Sequence, residues 1–326
     1  ININYCKKCQ IGKYNIEYGS MDEGFCISCE PGKYRGIQQN SGQPCIICAN
    51  GKYSISEASN CITCVSGKYS TNTFDHCFDC PRGSYNMLPG QHTKNTCILC
   101  SSGKWNNKLG SNSAEYCISC EHGLYSNIEG ADSILTCSEC PDGRYNEING
   151  ADSMNDCKEC STGSFSLKGS ISCNLCEPGL YNSIMGSIDC KPCEEGKYSD
   201  KAGSFICKSC PENSEQNYLK NNCICSASSY NIGINNTLKC SPCSDEFICS
   251  KGTYIKTLKL KKHFWRENIN TIETYKCKNI YACNGGLITN SSDNLCTKGH
   301  KGPICDVCDK GWAKDDGVCL KCPDNA

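Results

Sequence analysis

The sequence predicts an elongated tandem array of small disulfide-rich repeats, each a short irregular β-hairpin, with little regular secondary structure and no large hydrophobic core. Three observations carry this. A pair of cysteines separated by two residues recurs twelve times between Cys6 and Cys210. Eleven of these pairs are followed by a glycine and then an aromatic, as at Gly12 and Tyr14, Gly103 and Trp105, and Gly163 and Phe165. The unit is therefore C-x-x-C-x-x-G-x-aromatic, and self-similarity of this kind marks a modular architecture. Finally, 36 of the 326 residues are cysteine, which places the chain above the ~8–10% typical of disulfide scaffolds.

Composition sets the boundary conditions. The hydrophobic fraction of 38% includes cysteine; without it roughly 27% remains, too little for a conventional core of this length. Such chains use cross-links instead, and cross-links persist in an oxidising compartment. The even cysteine count permits complete pairing. A formal net charge of −1 gives no steering toward nucleic acid or an anionic membrane. No apolar run approaches the roughly 18 residues of a membrane span, so membrane insertion by this segment is not expected. Ile1 begins no signal-peptide pattern, which reads as a mature or excised extracellular segment.

Each unit has a physical reading. After the second cysteine the chain turns at a glycine that tolerates positive φ. The Gly-x-aromatic segment is a strand-like piece, and a second glycine, as at Gly90, Gly110, Gly130 and Gly150, marks the turn back. Helical periodicity is missing between the cysteines. First-to-first spacings are 20 residues from Cys77, Cys97, Cys117 and Cys137 but 16 from Cys45, Cys61 and Cys157. Residues 127–133 and 147–153 are near copies, as tandem duplication produces.

Connectivity does not follow from spacing in general, but repetition constrains it. If one unit repeats, its bonding repeats, which favours the second cysteine of each pair bonding the first of the next. The expected bonds join Cys9 with Cys26, Cys29 with Cys45, Cys48 with Cys61, and Cys64 with Cys77. They continue as Cys80 with Cys97, Cys100 with Cys117, Cys120 with Cys137, and Cys140 with Cys157. Cys160 with Cys173, Cys176 with Cys190, Cys193 with Cys207 and Cys210 with Cys223 complete the series. The rival pattern, interlaced over two pairs, requires a two-pair superperiod, and none is seen. Cys6 then needs an upstream cysteine or one from another chain. Each closed loop contributes about 3 kcal/mol in the chain-entropy model. The aromatic is expected to lie on a cystine of its own or the next unit, where sulfur and ring attract, with plain shielding of the disulfide as the simpler reading.

The motif breaks after Cys210, where Asn213 stands for the glycine and Glu215 for the aromatic. The expected domains are the array at 1–210, an irregular cysteine-rich transition at 211–252, and a C-terminal cysteine-rich domain at 253–326. Within the last, Tyr254 to Lys262 alternates in a way that predicts an exposed strand.

Two resemblances follow from these residues. Segments such as Cys173-Asn-Leu-Cys-Glu-Pro-Gly-Leu-Tyr181 resemble the repeats called GCC2/GCC3 or ephrin-receptor-like, and more loosely the first loop of tumour-necrosis-factor-receptor modules. The likeness covers about two-thirds of the chain and implies a fold, not a function, because such modules serve receptors, adhesion proteins and surface coats alike. The last third, with Phe264-Trp265-Arg266, Ala282 to Gly286, and Gly299 to Cys308, is similar to a region of large cysteine-rich surface proteins of ciliates and algae. Within it, residues 296–322 resemble a laminin-type EGF module. In that group the region often precedes membrane spans, which makes an anchor after Ala326 an expectation of the resemblance.

Candidate chemistry is sparse. Paired C-x-x-C motifs suit zinc, yet tandem pairs each followed by Gly-x-aromatic are the disulfide pattern, and no metal or other cofactor is expected. Thioredoxin-like chemistry needs a βαβ context that is missing. His76, His92, His122, His263 and His300 are dispersed, and no nucleophile elbow, zincin or phosphate-loop motif occurs, so no catalytic residue is assigned. Asn235 and Asn290 head N-glycosylation sequons. The basic run Lys256, Lys259, Lys261, Lys262 and Arg266 suits an acidic glycan or lipid headgroup; the simpler reading is an edge strand guarded by lysines with Trp265 as a small core. Spacers such as Gly130-Ala-Asp132 lack the ligand series of a calcium site.

The functional expectation is a non-enzymatic extracellular structural protein, part of a surface filament, coat or appendage, whose partners are other copies of itself or other extracellular proteins. The alternatives are the ligand-binding ectodomain of a receptor or channel and a non-catalytic stalk on an upstream enzyme.

Overall fold

The computed structural model describes residues 8–16, 23–37, 42–71, 75–233 and 237–323. Cys6 and Asn235 lie outside the described residues. The chain divides into two compact units, Ile1–Cys160 with Ser166–Cys173, and Ser161–Phe165 with Asn174–Ala326. Among the described residues every sheet is a two-stranded antiparallel hairpin, and the helical pieces are 3₁₀ turns of three or four residues.

One repeat shows how the sequence builds the hairpin. Lys104–Trp105 pairs with Ile118–Ser119, Lys104 opposite Ser119 and Trp105 opposite Ile118. The turn into the first strand needs a left-handed residue, and Gly103 supplies it at φ 78°. The Cys120 N–H donates to the Gly103 carbonyl at 2.8 Å, closing the hairpin base, and the Cys100–Cys117 disulfide ties its flank. The four extra residues of the longer units form a 3₁₀ turn just before the next cysteine, at Lys94–Thr96, Ala114–Tyr116, Ile134–Thr136 and Met154–Asp156. Ser113, Ser133 and Ser153 cap three of these turns by accepting a backbone N–H.

Disulfides link each hairpin to the next. They join Cys9–Cys26, Cys29–Cys45, Cys48–Cys61 and Cys64–Cys77. They continue as Cys80–Cys97, Cys100–Cys117, Cys120–Cys137, Cys140–Cys157 and Cys160–Cys173. In the second unit they are Cys176–Cys190, Cys193–Cys207, Cys210–Cys223 and Cys225–Cys240.

The hairpin geometry runs on where the sequence motif stops. Ser214–Gln216 pairs with Cys223–Cys225, and Ser229–Asn231 with Cys240–Pro242. Asn213 and Ser228 hold the turn position at φ 57° and 69°, a conformation that short polar side chains tolerate. After that the cystines close short local loops, Cys243–Cys249, Cys277–Cys283, Cys296–Cys305 and Cys308–Cys319, and Cys322 is unpaired. Among the described residues an apolar core forms here, from Tyr230, Phe247, Leu258, Leu260, Trp265, Ile288 and Leu295.

The strand expected over Tyr254 to Lys262 is shorter than its alternation suggests. Ile255–Thr257 is a 3₁₀ turn, and only Lys259–Leu260 is extended, paired with Phe247–Ile248. Leu258 and Leu260 point into the core while Lys259 and Lys261 face solvent, so burial satisfies the pattern without a long strand.

Candidate functional site

Two features repeat along the array: a buried polar ladder that joins the units, and an exposed hairpin face. The ladder rests on the residue after the aromatic, usually Ser or Asn, and sequence reasoning passed over it. At Asn106 the side-chain amide donates to the Ser84 carbonyl at 3.1 Å and to Ser111 Oγ at 2.9 Å. The Asn106 carbonyl accepts from the Gly83 N–H at 2.7 Å, and its own N–H donates to the Ala131 carbonyl at 2.9 Å. One residue thus bonds the unit before it and the unit after it.

The same side-chain bond recurs from Ser54 to Lys33 O, Asn146 to Leu124 O and Ser166 to Arg144 O, and within the second compact unit from Asn182 to Ser164 O and Ser199 to Leu180 O. These side chains are buried, and burial without such partners is costly. The signal was available: Ser or Asn follows the aromatic in nearly every repeat.

Packing between units explains the glycine more fully than its φ alone. A Cβ on Gly103 would overlap the carbonyl of Gly150, two units further on. Backbone meets backbone there, and no side chain fits.

The aromatic is half-buried and has a cross-strand partner, the first residue inside the next cysteine pair. In the first compact unit these pairs are Tyr14 with Ile27, Tyr34 with Ile46, Tyr53 with Ile62, Tyr69 with Phe78, Tyr85 with Ile98 and Trp105 with Ile118. Tyr69 and Phe78 stack at 5.9 Å. The partner then turns polar, with Tyr125 opposite Ser138 and Tyr145 opposite Lys158. In the second unit it stays so: Asn174, Lys191 and Lys208 face Phe165, Tyr181 and Tyr198.

Ion pairs accompany the polar stretch. The Lys158 ammonium bonds Glu147 at 2.7 Å, holding that carboxyl below the usual carboxylate range and raising the lysine. Lys208 does the same to Asp200 at 2.9 Å. All four groups are solvent-exposed, so these pairs contribute little to stability.

The basic run separates into two populations. Lys256, Lys259, Lys261 and Lys262 are exposed, whereas Trp265 and Arg266 are buried. Arg266 stands where the array has Ser or Asn, and its guanidinium donates to the carbonyls of Ile255, Thr271 and Leu258 at 3.3, 3.2 and 3.0 Å. Burial lowers its pKa, and the ring of Phe247 lies 5.9 Å away. Arg266 is a structural cation with no face for a ligand. Arg35 occupies the equivalent array position, also buried, and bonds the Gln43 carbonyl.

The remaining candidates are structural. Cys277, Cys283 and Cys305 bring three sulfurs within 4.8 Å, but all are spent in the Cys277–Cys283 and Cys296–Cys305 disulfides. His300 is buried, with Nδ1 2.9 Å from the Cys305 carbonyl and Nε2 accepting the Cys319 N–H at 3.1 Å; it is a staple of the last module. Asn290 is exposed. Among the described residues no helix is long and apolar enough to cross a membrane.

Among curated proteins, none matches the chain. Residues 67–117 and 111–157 match the family model described as tyrosine-protein kinase ephrin type A/B receptor-like, and these adjacent repeats are cysteine-rich repeats of that receptor-like kind.

Proposed function

We propose that this chain is a non-catalytic extracellular structural protein, a component of a cell-surface or extracellular filament, coat or appendage that associates with copies of itself or with other extracellular proteins. The observation that supports the reading most directly is the double linkage between repeats, cystines along the array together with buried Ser or Asn side chains that bond the preceding repeat at six positions. Such linkage makes a body of neighbour-coupled modules suited to spacing and lateral contact. Within it, residues 1–210 form the repeat array, 211–252 a transition, and 253–326 the C-terminal domain, with 296–322 as an EGF/laminin-like module. Asn235 and Asn290 carry N-glycans. Electron microscopy of the secreted protein and immunogold labelling of its source cells test the reading; a compact intracellular particle would sink it.

The receptor-like match favours a second reading, the ligand-binding or adhesive ectodomain of a membrane receptor or channel. Sequencing the transcript beyond Ala326 separates the two. A membrane span there supports the receptor, and further repeats support the structural protein.

A further inference from the structure

The hairpin face that changes character along the array has a consequence for assembly. In the first six hairpins the aromatic pairs with Ile27, Ile46, Ile62, Phe78, Ile98 or Ile118. The five isoleucines are each 45–49% exposed. A cross-strand aromatic–aliphatic pair normally gains by burying its outer surface, and here that surface is left in water at five of the six hairpins, the half-buried Tyr69–Phe78 pair standing between them. The third and fourth hairpins lie side by side: Tyr53 and Ile62 of the third and Lys68 and His76 of the fourth line one groove.

We propose that this face, from Tyr14 to Ile118, docks face to face on the same surface of a second copy of the chain. The inference rests on the structural reading above and names its partner and contact. Two arguments select a second copy. The apolar surface presented by the five isoleucines, Phe78 and the six half-buried rings is on the order of 800 Å², matching what each partner of a standard stable interface buries. A second copy also carries the same pairs at the same spacing, so one pair in register sets the others in register. A formal net charge of −1 per chain adds little repulsion. The polar partners Ser138 and Lys158 end the contact, because docking there would strip water from both Lys158 and the Glu147 carboxylate it pairs with.

The test uses the full chain with its disulfides intact, in sedimentation equilibrium over a concentration series. A variant with Ile46→Ser, Ile62→Lys, Ile98→Ser and Ile118→Lys places in the early hairpins the residues that positions 138 and 158 already carry in the same register, so its fold is preserved. Wild type is expected to dimerise, and this variant to associate at least about 100-fold more weakly. The reverse variant, Ser138→Ile with Lys158→Ile, is expected to tighten the dimer. Wild type that assembles no better than the four-site variant overturns this face while leaving the structural reading standing. Wild type that stays monomeric at high concentration overturns self-docking altogether, and the microscopy then decides the structural role by itself.

Discussion

The repeat array and the C-terminal region solve the same problem with different material. In the array the buried side chains are mostly cystine sulfurs, the Ser or Asn of the ladder and other serines such as Ser84 and Ser111, with Arg35 and a few alanines such as Ala131 and Ala151. From Tyr230 onward the buried set is Phe247, Leu258, Leu260, Trp265 and Leu295, with Cys277, Cys283 and Cys305 among them. Arg266 reproduces the array's polar contact inside that apolar core, reaching three carbonyls with one guanidinium. The hairpin is therefore portable between the two settings. Its turn conformation and base hydrogen bond persist at His263, where φ is 78° and the Cys277 N–H bonds the His263 carbonyl at 2.9 Å, although the neighbours there are hydrocarbon.

The comparison can be broken from either side. Leu260→Ala should cost about 4 kcal/mol, since a fully buried leucine leaves a cavity; hydrogen exchange should open the C-terminal core and leave the array protected. Replacing Cys120 and Cys137 together by serine should cost about 3 kcal/mol with the opposite signature, loss of protection confined to the hairpins around that bond. If both variants opened the whole chain equally, the two regions would not be separate stability units. Gly103→Ala should cost about 2–3 kcal/mol, from the left-handed backbone and the clash with Gly150, and a thermal shift measures it.

Asn106→Ala tests the ladder at smaller scale. Its loss should cost about 1–2 kcal/mol, and Asn106→Ser, the alternative used elsewhere in the array, should recover part of it in the same melt. The smallest effect concerns acid. The carboxyls of Glu147 and Asp200 are held low by their lysines, so their contribution is complete above the ordinary carboxylate pKa and is lost as pH falls through the lowered folded values. Because the pairs are exposed, Lys158→Met should flatten the pH dependence of melting below about pH 4 only slightly, and a large change would mean that the pair is shielded from solvent.

Much of this was legible from residues alone, for a physical reason. Cysteine spacing and the obligate glycine report local constraints, covalent loop length and positive φ, which act within one unit. Three features were less legible. The Ser/Asn after the aromatic has no role legible within its own repeat because its partners lie in the neighbouring repeats, at Ser84 and Ala131 for Asn106. The cross-strand partner of the aromatic, the next pair's first residue, is set by strand register, which a single repeat motif does not reveal. Arg266 looked like part of a basic patch, and only the fold around Leu258 and Thr271 turns it inward.

The unit, its hairpin character and its dependence on cross-links are readable from residue order, because each is written in short-range steric and covalent rules. What the unit touches follows from its packing: Gly103 is fixed by the carbonyl of Gly150 as well as by its own φ, a serine or asparagine is the joint between repeats, and five aromatic–isoleucine pairs stay exposed. Those outcomes depend on how one unit is stacked on the next, and stacking is set by the rigid geometry of the cystine and the ladder together, which no single repeat contains.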